Sequence, residues 1–477
     1  MALRRYRPDP RLWAVLAISV LLRWGLIHQG GTLYIPDEQY RFVRCYQLLF
    51  AVQAGDWAGA VAAVTHPDHT LFALVGAGPA LIHCALARWF GWNLDTSDWF
   101  PASLFALASV FNIYLTWLLA LRCGARREEA RLVSLLMACS VSMLFYARHL
   151  LPYDIVMAMA LIAANLAAPR SAGVRPCAAA GALLALSVLT YYGNWPLVAA
   201  VIALIAWRSR RGAWRARLAA TLGGAAAVGA AFLIAVLALA GPAFFSQAHV
   251  FSENVIQGDY AEGWSHPWAY LWYCEHVMLL VWVAGALLCL RRRTGYGWLI
   301  GAGVVYGLLC LTSTVLHRFV TEGRFDRLMV PFLCLACAHG LYPLMRRQPR
   351  LFSGVAWIAI CQAGFTFSVL YGLHFPREVR AQVLREHPDV RYAWNITGVP
   401  PKGDPKARYV LLDTSMMYPI QPQAPVPAGR VLFSLPHPEQ AFLPYQYEHY
   451  SPAEREILRH TDISMRLIDT APDTSKP

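Results

Sequence analysis

Residues 12–28 read Leu-Trp-Ala-Val-Leu-Ala-Ile-Ser-Val-Leu-Leu-Arg-Trp-Gly-Leu-Ile-His, and residues 34–41 follow with Tyr-Ile-Pro-Asp-Glu-Gln-Tyr-Arg. The first run is apolar enough to enter a bilayer. It has no small-residue cleavage site, so it reads as an anchor retained in the chain. Arg23, near its outer end, is expected to snorkel to the interface. The second run places two adjacent carboxylates, Asp37 and Glu38, on the far face of the membrane. A charge close to a bilayer is costly unless it meets water, a partner or a substrate. The pair is therefore a functional candidate. A plain capping role fits as well, because Pro36 suits a first helical turn and acids suit the positive end of a helix dipole.

The 477 residues are 57% apolar and only 14% charged, with a mean hydropathy of +0.40, whereas soluble domains carry roughly 25% charged residues. This composition is that of a polytopic membrane protein. The net charge of +13 does not point to nucleic acid, because the basic residues are spread between apolar runs. They report topology instead.

Apolar runs lie at about 12–28, 99–121, 131–147, 154–168, 177–191, 196–207, 218–241, 268–290, 296–316, 327–345 and 351–373. They predict an all-α domain, residues 1–373, of about 11 transmembrane helices, some shorter than the roughly 20 residues a crossing needs. Arginines collect in alternate linkers: Arg4, Arg5, Arg7 and Arg11; Arg122, Arg126, Arg127 and Arg131; Arg170 and Arg175; Arg208, Arg210, Arg211, Arg215 and Arg217; Arg291 to Arg293; Arg346, Arg347 and Arg350. The positive-inside rule puts these linkers and the amino terminus in the cytoplasm, and an odd span count puts the tail outside. A bacterial inner membrane is the expected location. Residues 71–90 are also apolar, but counting them as a span would move the later arginine-rich linkers outside. They are expected as a membrane-hugging helix within a long outer loop, 29–98.

The tail, 374–477, changes in composition and predicts a small soluble α/β domain outside the membrane. Tyr409 to Asp413, Arg430 to Ser434 and Ser464 to Asp469 look like strands. Ser451-Pro452-Ala453-Glu454 is a capping box opening a helix to about Arg459. Asn395-Ile396-Thr397 matches a glycosylation sequon, a short pattern that is usually incidental. Cys334 and Cys337 read as small buried apolar residues, since no second cysteine or histidine pair accompanies them.

The outer linkers hold polar residues that topology leaves unexplained. Beyond Asp37 and Glu38 they are Thr65-His66-Pro67-Asp68-His69, Tyr146-Ala147-Arg148 with Asp154, Thr190-Tyr191-Tyr192-Gly193, Glu253-Asn254 through His266-Pro267-Trp268, and Glu322-Gly323-Arg324-Phe325-Asp326-Arg327. Singly, each has a bland reading as a cap or an interfacial anchor. Together, acids, arginines, histidines and tyrosines at one face of a helical bundle describe a pocket.

The order of these motifs resembles the membrane glycosyltransferases of the GT-C superfamily, nearest to the protein O-mannosyltransferase-like group and the bacterial aminoarabinose transferase. The resemblance runs over roughly residues 10–345. It rests on the anchor span, Pro36-Asp37-Glu38 with Tyr40, His66-Pro67 opening a surface helix, Tyr146-Ala147-Arg148 followed by Asp154, Glu253-Asn254 with His266-Pro267-Trp268, and Gly323-Arg324 leading to Pro331. There are departures. His66 stands where the aminoarabinose enzyme has a lysine, Phe325 or Asp326 where a tyrosine is expected, and Thr190-Tyr191-Tyr192-Gly193 where many relatives carry Thr-Lys-Gly.

The resemblance implies an inverting transferase that takes a sugar from a polyprenyl-phosphate carrier in the bilayer to a lipid, glycan or protein acceptor at the outer face. Phosphate is a good leaving group, so cations that receive its charge suffice; the acceptor hydroxyl needs a carboxylate as base. The expected catalytic residues are Asp37 as base with Glu38 and Asp154 orienting. His66, Arg148, Arg324 and Arg327 are the expected phosphate ligands, and Tyr40, Tyr192, Glu253 and His266 the other substrate contacts. No cofactor is expected, because the resemblance is to metal-independent members; a divalent ion held by Asp37, Glu38, Asp154 and His66 is the alternative use of the same groups. A transporter or lipid flippase is the alternative from another class, and it calls for ionisable residues within spans and interrupted helices.

Overall fold

The computed structural model describes residues 9–67, 70–209, 212–256, 263–394, 401–414 and 425–471. Asp68 and His69, Gln257, the sequon at Asn395 to Thr397, and Arg4, Arg5, Arg7, Arg210 and Arg211 lie outside the described residues.

The protein is mostly helical and multi-pass in character, with a four-stranded sheet near its carboxyl end. The anchor is the helix Pro10–Gln29, opened by Asp9, whose side chain accepts from the Leu12 amide at 3.0 Å and pairs with Arg131 at 2.6 Å. Among the described residues seven helices are long and apolar enough to cross a membrane, or up to nine if two bent pairs each form one span. The expectation of about eleven is corrected by helix length. Tyr153–Ala167 has 15 residues, Val174–Thr190 has 17 and Trp195–Arg208 has 14. Phe72–Phe90, expected on the surface, is itself long and apolar enough to count among the seven; it lies against the outer helix Pro36–Ala54.

The buried core runs through Trp99–Arg122, Arg127–Cys139, Tyr153–Ala167 and Val330–Arg347. Trp214–Leu239 is different, with Leu222, Ile234 and Leu237 exposed as lipid-facing residues must be. It meets the protein where Gly181 lies against the Thr221 backbone and Gly224 against that of Ala178, a contact that any Cβ would block.

Two expectations about single side chains change. Arg23 does not snorkel but is fully buried, donating from Nε to Ser109 Oγ at 3.1 Å and from Nη1 to the Ser19 carbonyl at 3.2 Å. The bundle itself supplies these two acceptors, so the side chain turns inward. Cys334 and Cys337 are free and buried, as small apolar residues.

In the tail, β1 (Arg391–Trp394), β2 (Tyr409–Asp413), β3 (Arg430–Pro436) and β4 (Ser464–Asp469) form one sheet in the order β1-β2-β4-β3. β1 pairs parallel to β2; the other pairings are antiparallel, with a bulge between Val431 and Phe433. Three of the strands lie where the sequence placed them, at Tyr409–Asp413, Arg430–Pro436 and Ser464–Asp469. β1 is four residues long and ends beside the sequon, too short a run to signal by itself. The helix Pro452–His460 carries the capping box, Ser451 with Glu454. The short helix Leu443–His449 leaves the sheet and reaches the bundle, where Phe442 and Tyr445 join the main core and Tyr445 packs edge-on against Phe145 at 4.5 Å.

Candidate active site at the outer end of the bundle

Pro36 starts the helix Pro36–Ala54, so Asp37 and Glu38 occupy its first turn. Their side chains part company there. Glu38 is fully buried and structural in its contacts: it accepts from the Ile35 amide at 3.1 Å, from the Leu150 amide, and from His149 Nδ1 at 3.2 Å. It ties the outer helix to the Tyr146–Arg148 turn. Asp37 stays about one-third exposed and meets two guanidiniums, Arg41 one turn along at 2.8 Å and Arg324 at 2.7 Å.

Arg324 is the hub. It sits in the four-residue helix Gly323–Asp326, and Gly323 is needed because a Cβ there would run into the Tyr270 ring. Besides Asp37, its guanidinium meets Glu322, Glu448 Oε1 at 3.2 Å and the Tyr153 hydroxyl at 2.7 Å, while its amide donates to Glu448 Oε2 at 2.9 Å. Tyr146 donates its hydroxyl to Glu448 at 2.5 Å. Three carboxylates thus face Arg324, and Arg41 shares Asp37 with it. Burial pushes Glu322 up to about 8, and the charges of Glu448 and Asp37 add to this while Arg324 opposes it. Glu448 is raised by burial as well, against the pull of Arg324.

Beside this cluster, Arg327 donates to Asp154 Oδ1 at 2.9 Å and lies over the Tyr146 ring at 4.6 Å; Asn112 donates to the same carboxylate oxygen at 3.2 Å. Arg148 is fully buried over the Phe375 ring at 5.1 Å, and its one hydrogen bond among the described residues goes to the Leu370 carbonyl at 3.1 Å. Nε and Nη1 of both Arg148 and Arg327 have no hydrogen-bond partner among the described residues.

Of the remaining candidates, His266 reaches the short helix of Arg324 through Asp326, and the others meet different groups. His266 Nδ1 lies 3.2 Å from Asp326 Oδ2 with its ring against Tyr447. Tyr192 bonds Thr70 Oγ1 at 2.9 Å. Tyr40 is 70% exposed, and Glu253 is partly buried on Ala243–Ile256. His66 stands 3.4 Å from Arg44 Nη2, at the edge of an apolar groove of about 1060 Å³ between Trp57–Val64 and the chain from Leu239 to Phe251.

The alternative ion-binding set of Asp37, Glu38, Asp154 and His66 is not brought together, since each faces different partners. No cluster of metal-ligating side chains occurs among the described residues. Arg41, Tyr146, Tyr153 and Glu322 fall within motifs that sequence reasoning singled out without giving these four a role, whereas Glu448 was not singled out at all. Glu448 lies 124 residues from Arg324, amid aromatics in a short helix, with no local signal.

Compared with protein-family models and with curated proteins, the chain matches none.

Proposed function

We propose that the protein is a GT-C-like inverting glycosyltransferase of the bacterial inner membrane, with a cytoplasmic amino terminus and a site on the exported side. It moves a sugar from a polyprenyl-phosphate donor to an acceptor hydroxyl or phosphate. The observation that carries this reading is the contact between Asp37 and Arg324. These are the early acid and the late arginine of the resemblance, 287 residues apart and 2.7 Å from each other.

In this reading Asp37 accepts the acceptor proton as the acceptor oxygen bonds to the anomeric carbon. The bond from that carbon to the phosphate oxygen breaks, and its electron pair leaves on the phosphate. Displacement from the opposite side inverts the anomeric centre. Arg324 and Arg41 border the base, and the unpaired nitrogens of Arg148 and Arg327 supply the spare donors that an arriving phosphate needs. The apolar groove beside His66 suits the lipid tail of the carrier. Glu38 serves as a structural tie, and Asp154 orients Arg327. Because the helix Leu443–His449 brings Glu448 onto Arg324, entry of the donor requires that helix to shift.

The transporter reading draws on the two interrupted helix pairs, bent by 53° and 119°. They meet at Glu275, whose carboxylate accepts from Ser140 Oγ, the Val141 amide, and both the amide and hydroxyl of Ser142, at 2.6–3.0 Å. The protein's own groups fill that break, which favours a fixed joint over an ion seat.

Purified protein incubated with a panel of polyprenyl-phosphate sugars is expected to release free polyprenyl phosphate from at least one of them. Movement of intact carrier across vesicles without such release would establish transport instead.

A further inference from the structure

Away from the Asp37 and Arg324 cluster, a cavity of about 510 Å³, largely apolar with a few polar groups, lies between the start of the outer helix Pro36–Ala54 and the tail sheet. Its tail side is built around Asp413 at the end of β2. Tyr392 donates its hydroxyl to Asp413 Oδ2 at 2.6 Å, and His437 Nε2 lies 2.7 Å from Oδ1. Both carboxylate oxygens are used, so Asp413 acts as an anchor that fixes the His437 ring. His437 is 1% exposed and lines the cavity, yet its Nδ1 has no hydrogen-bond partner among the described residues. On the opposite side Glu378, from the helix Pro376–Glu386, accepts from the Gly31 amide through Oε1 at 3.2 Å. Its Oε2 is buried and likewise without a partner among the described residues. Two unsatisfied buried polar atoms in one cavity call for an explanation.

The lining narrows the class of occupant. Trp394 and Tyr34 supply aromatic surface and Gln39 an amide, Arg380 lies over the Tyr392 ring at 4.8 Å, and Arg377 at the rim is already paired with Asp98. A lipid tail would leave these polar groups stranded, an extended polyanion would want an excess of cations, and a metal ion would want its acids gathered. Donors and acceptors of both signs spaced around aromatic surface suit a polyhydroxylated ring, and the volume suits one or two sugar units.

We propose that this cavity is a carbohydrate subsite, in which His437 Nδ1 and Glu378 Oε2 take hydroxyls of a glycan-bearing acceptor. As an acceptor subsite it rests on the transferase reading. Gln39, two residues beyond Asp37, borders the cavity, so the bound sugar is a neighbour of the reacting unit and not that unit itself.

The test measures binding of soluble oligosaccharides, mannotriose, maltotriose and chitotriose, to the purified full chain by saturation-transfer NMR. It compares wild type with His437→Gln, whose amide nitrogen keeps the donation to Asp413 while removing Nδ1. At least one sugar is expected to bind, about tenfold more weakly to His437→Gln, with melting temperature unchanged and with wild-type binding in Asp37→Asn. No binding of any of the three sugars, or equal binding by His437→Gln, overturns the subsite. Loss of binding in Asp37→Asn would place the sugar in the donor seat and also overturn it. Because no donor and no transfer are involved, failure of the transferase reading leaves this outcome readable.

Discussion

Arg324 and Arg148 are both buried guanidiniums at the outer end of the bundle, and their surroundings are opposite. Arg324 faces three carboxylates and a tyrosine hydroxyl. Arg148 has one carbonyl and a phenyl ring, with two nitrogens unpaired among the described residues. A buried charge with a surplus of partners holds a structure together. A buried charge short of partners is a cost that folding alone does not justify, and such groups concentrate where a ligand completes them. Within the proposed function, the difference gives Arg324 a part in assembling the site as well as in chemistry, and gives Arg148 the arriving phosphate.

The largest effect expected from breaking this contrast is at Arg324. Arg324→Met leaves Asp37, Glu322 and Glu448 facing one another and is expected to cost about 3–5 kcal/mol of stability, read as a lowered melting temperature in detergent. Arg148→Met removes an under-bonded charge while keeping the stem that packs on Phe375. It is expected to change stability by less than about 1.5 kcal/mol in either direction while weakening donor binding. A strongly destabilised Arg148→Met with normal donor binding would reverse the two roles.

The smallest effect is one of pH. Glu322 is raised from 4.5 to about 8, chiefly by burial, and Glu439 to about 6 for the same first reason. A carboxyl that binds its proton more tightly when folded carries more protons in the native state between the two pKa values. Stability therefore falls as pH rises through that window. Thermal stability is expected to decline between pH 5 and pH 8, and Glu322→Gln is expected to flatten the decline. A flat profile across this range would mean that the native carboxyls are not raised, and a rise would mean that groups binding fewer protons in the folded state outweigh them.

Much of the helical architecture was legible, because long apolar runs obey simple rules of burial. Span number was not, since Tyr153–Ala167 and Trp195–Arg208 are apolar yet short, and periodicity does not report where a helix breaks. In the site, the Asp37 motif and the Gly323-Arg324 segment stood out because charges near a bilayer need a reason. Their pairing was invisible, as was the arrival of Glu448, because contacts between distant segments leave no local pattern. Glu38 shows the converse: adjacent to Asp37 in sequence, it turns to the other side of the helix start and caps it.

The central claim is that Asp37 takes a proton during sugar transfer. Asp37→Asn keeps size and most hydrogen bonding while removing that capacity. The decisive measurement is sugar transfer and melting temperature on this one variant: the account predicts turnover lowered by about 100-fold or more, with folding and donor binding retained. Near-normal transfer by a well-folded Asp37→Asn protein would contradict it.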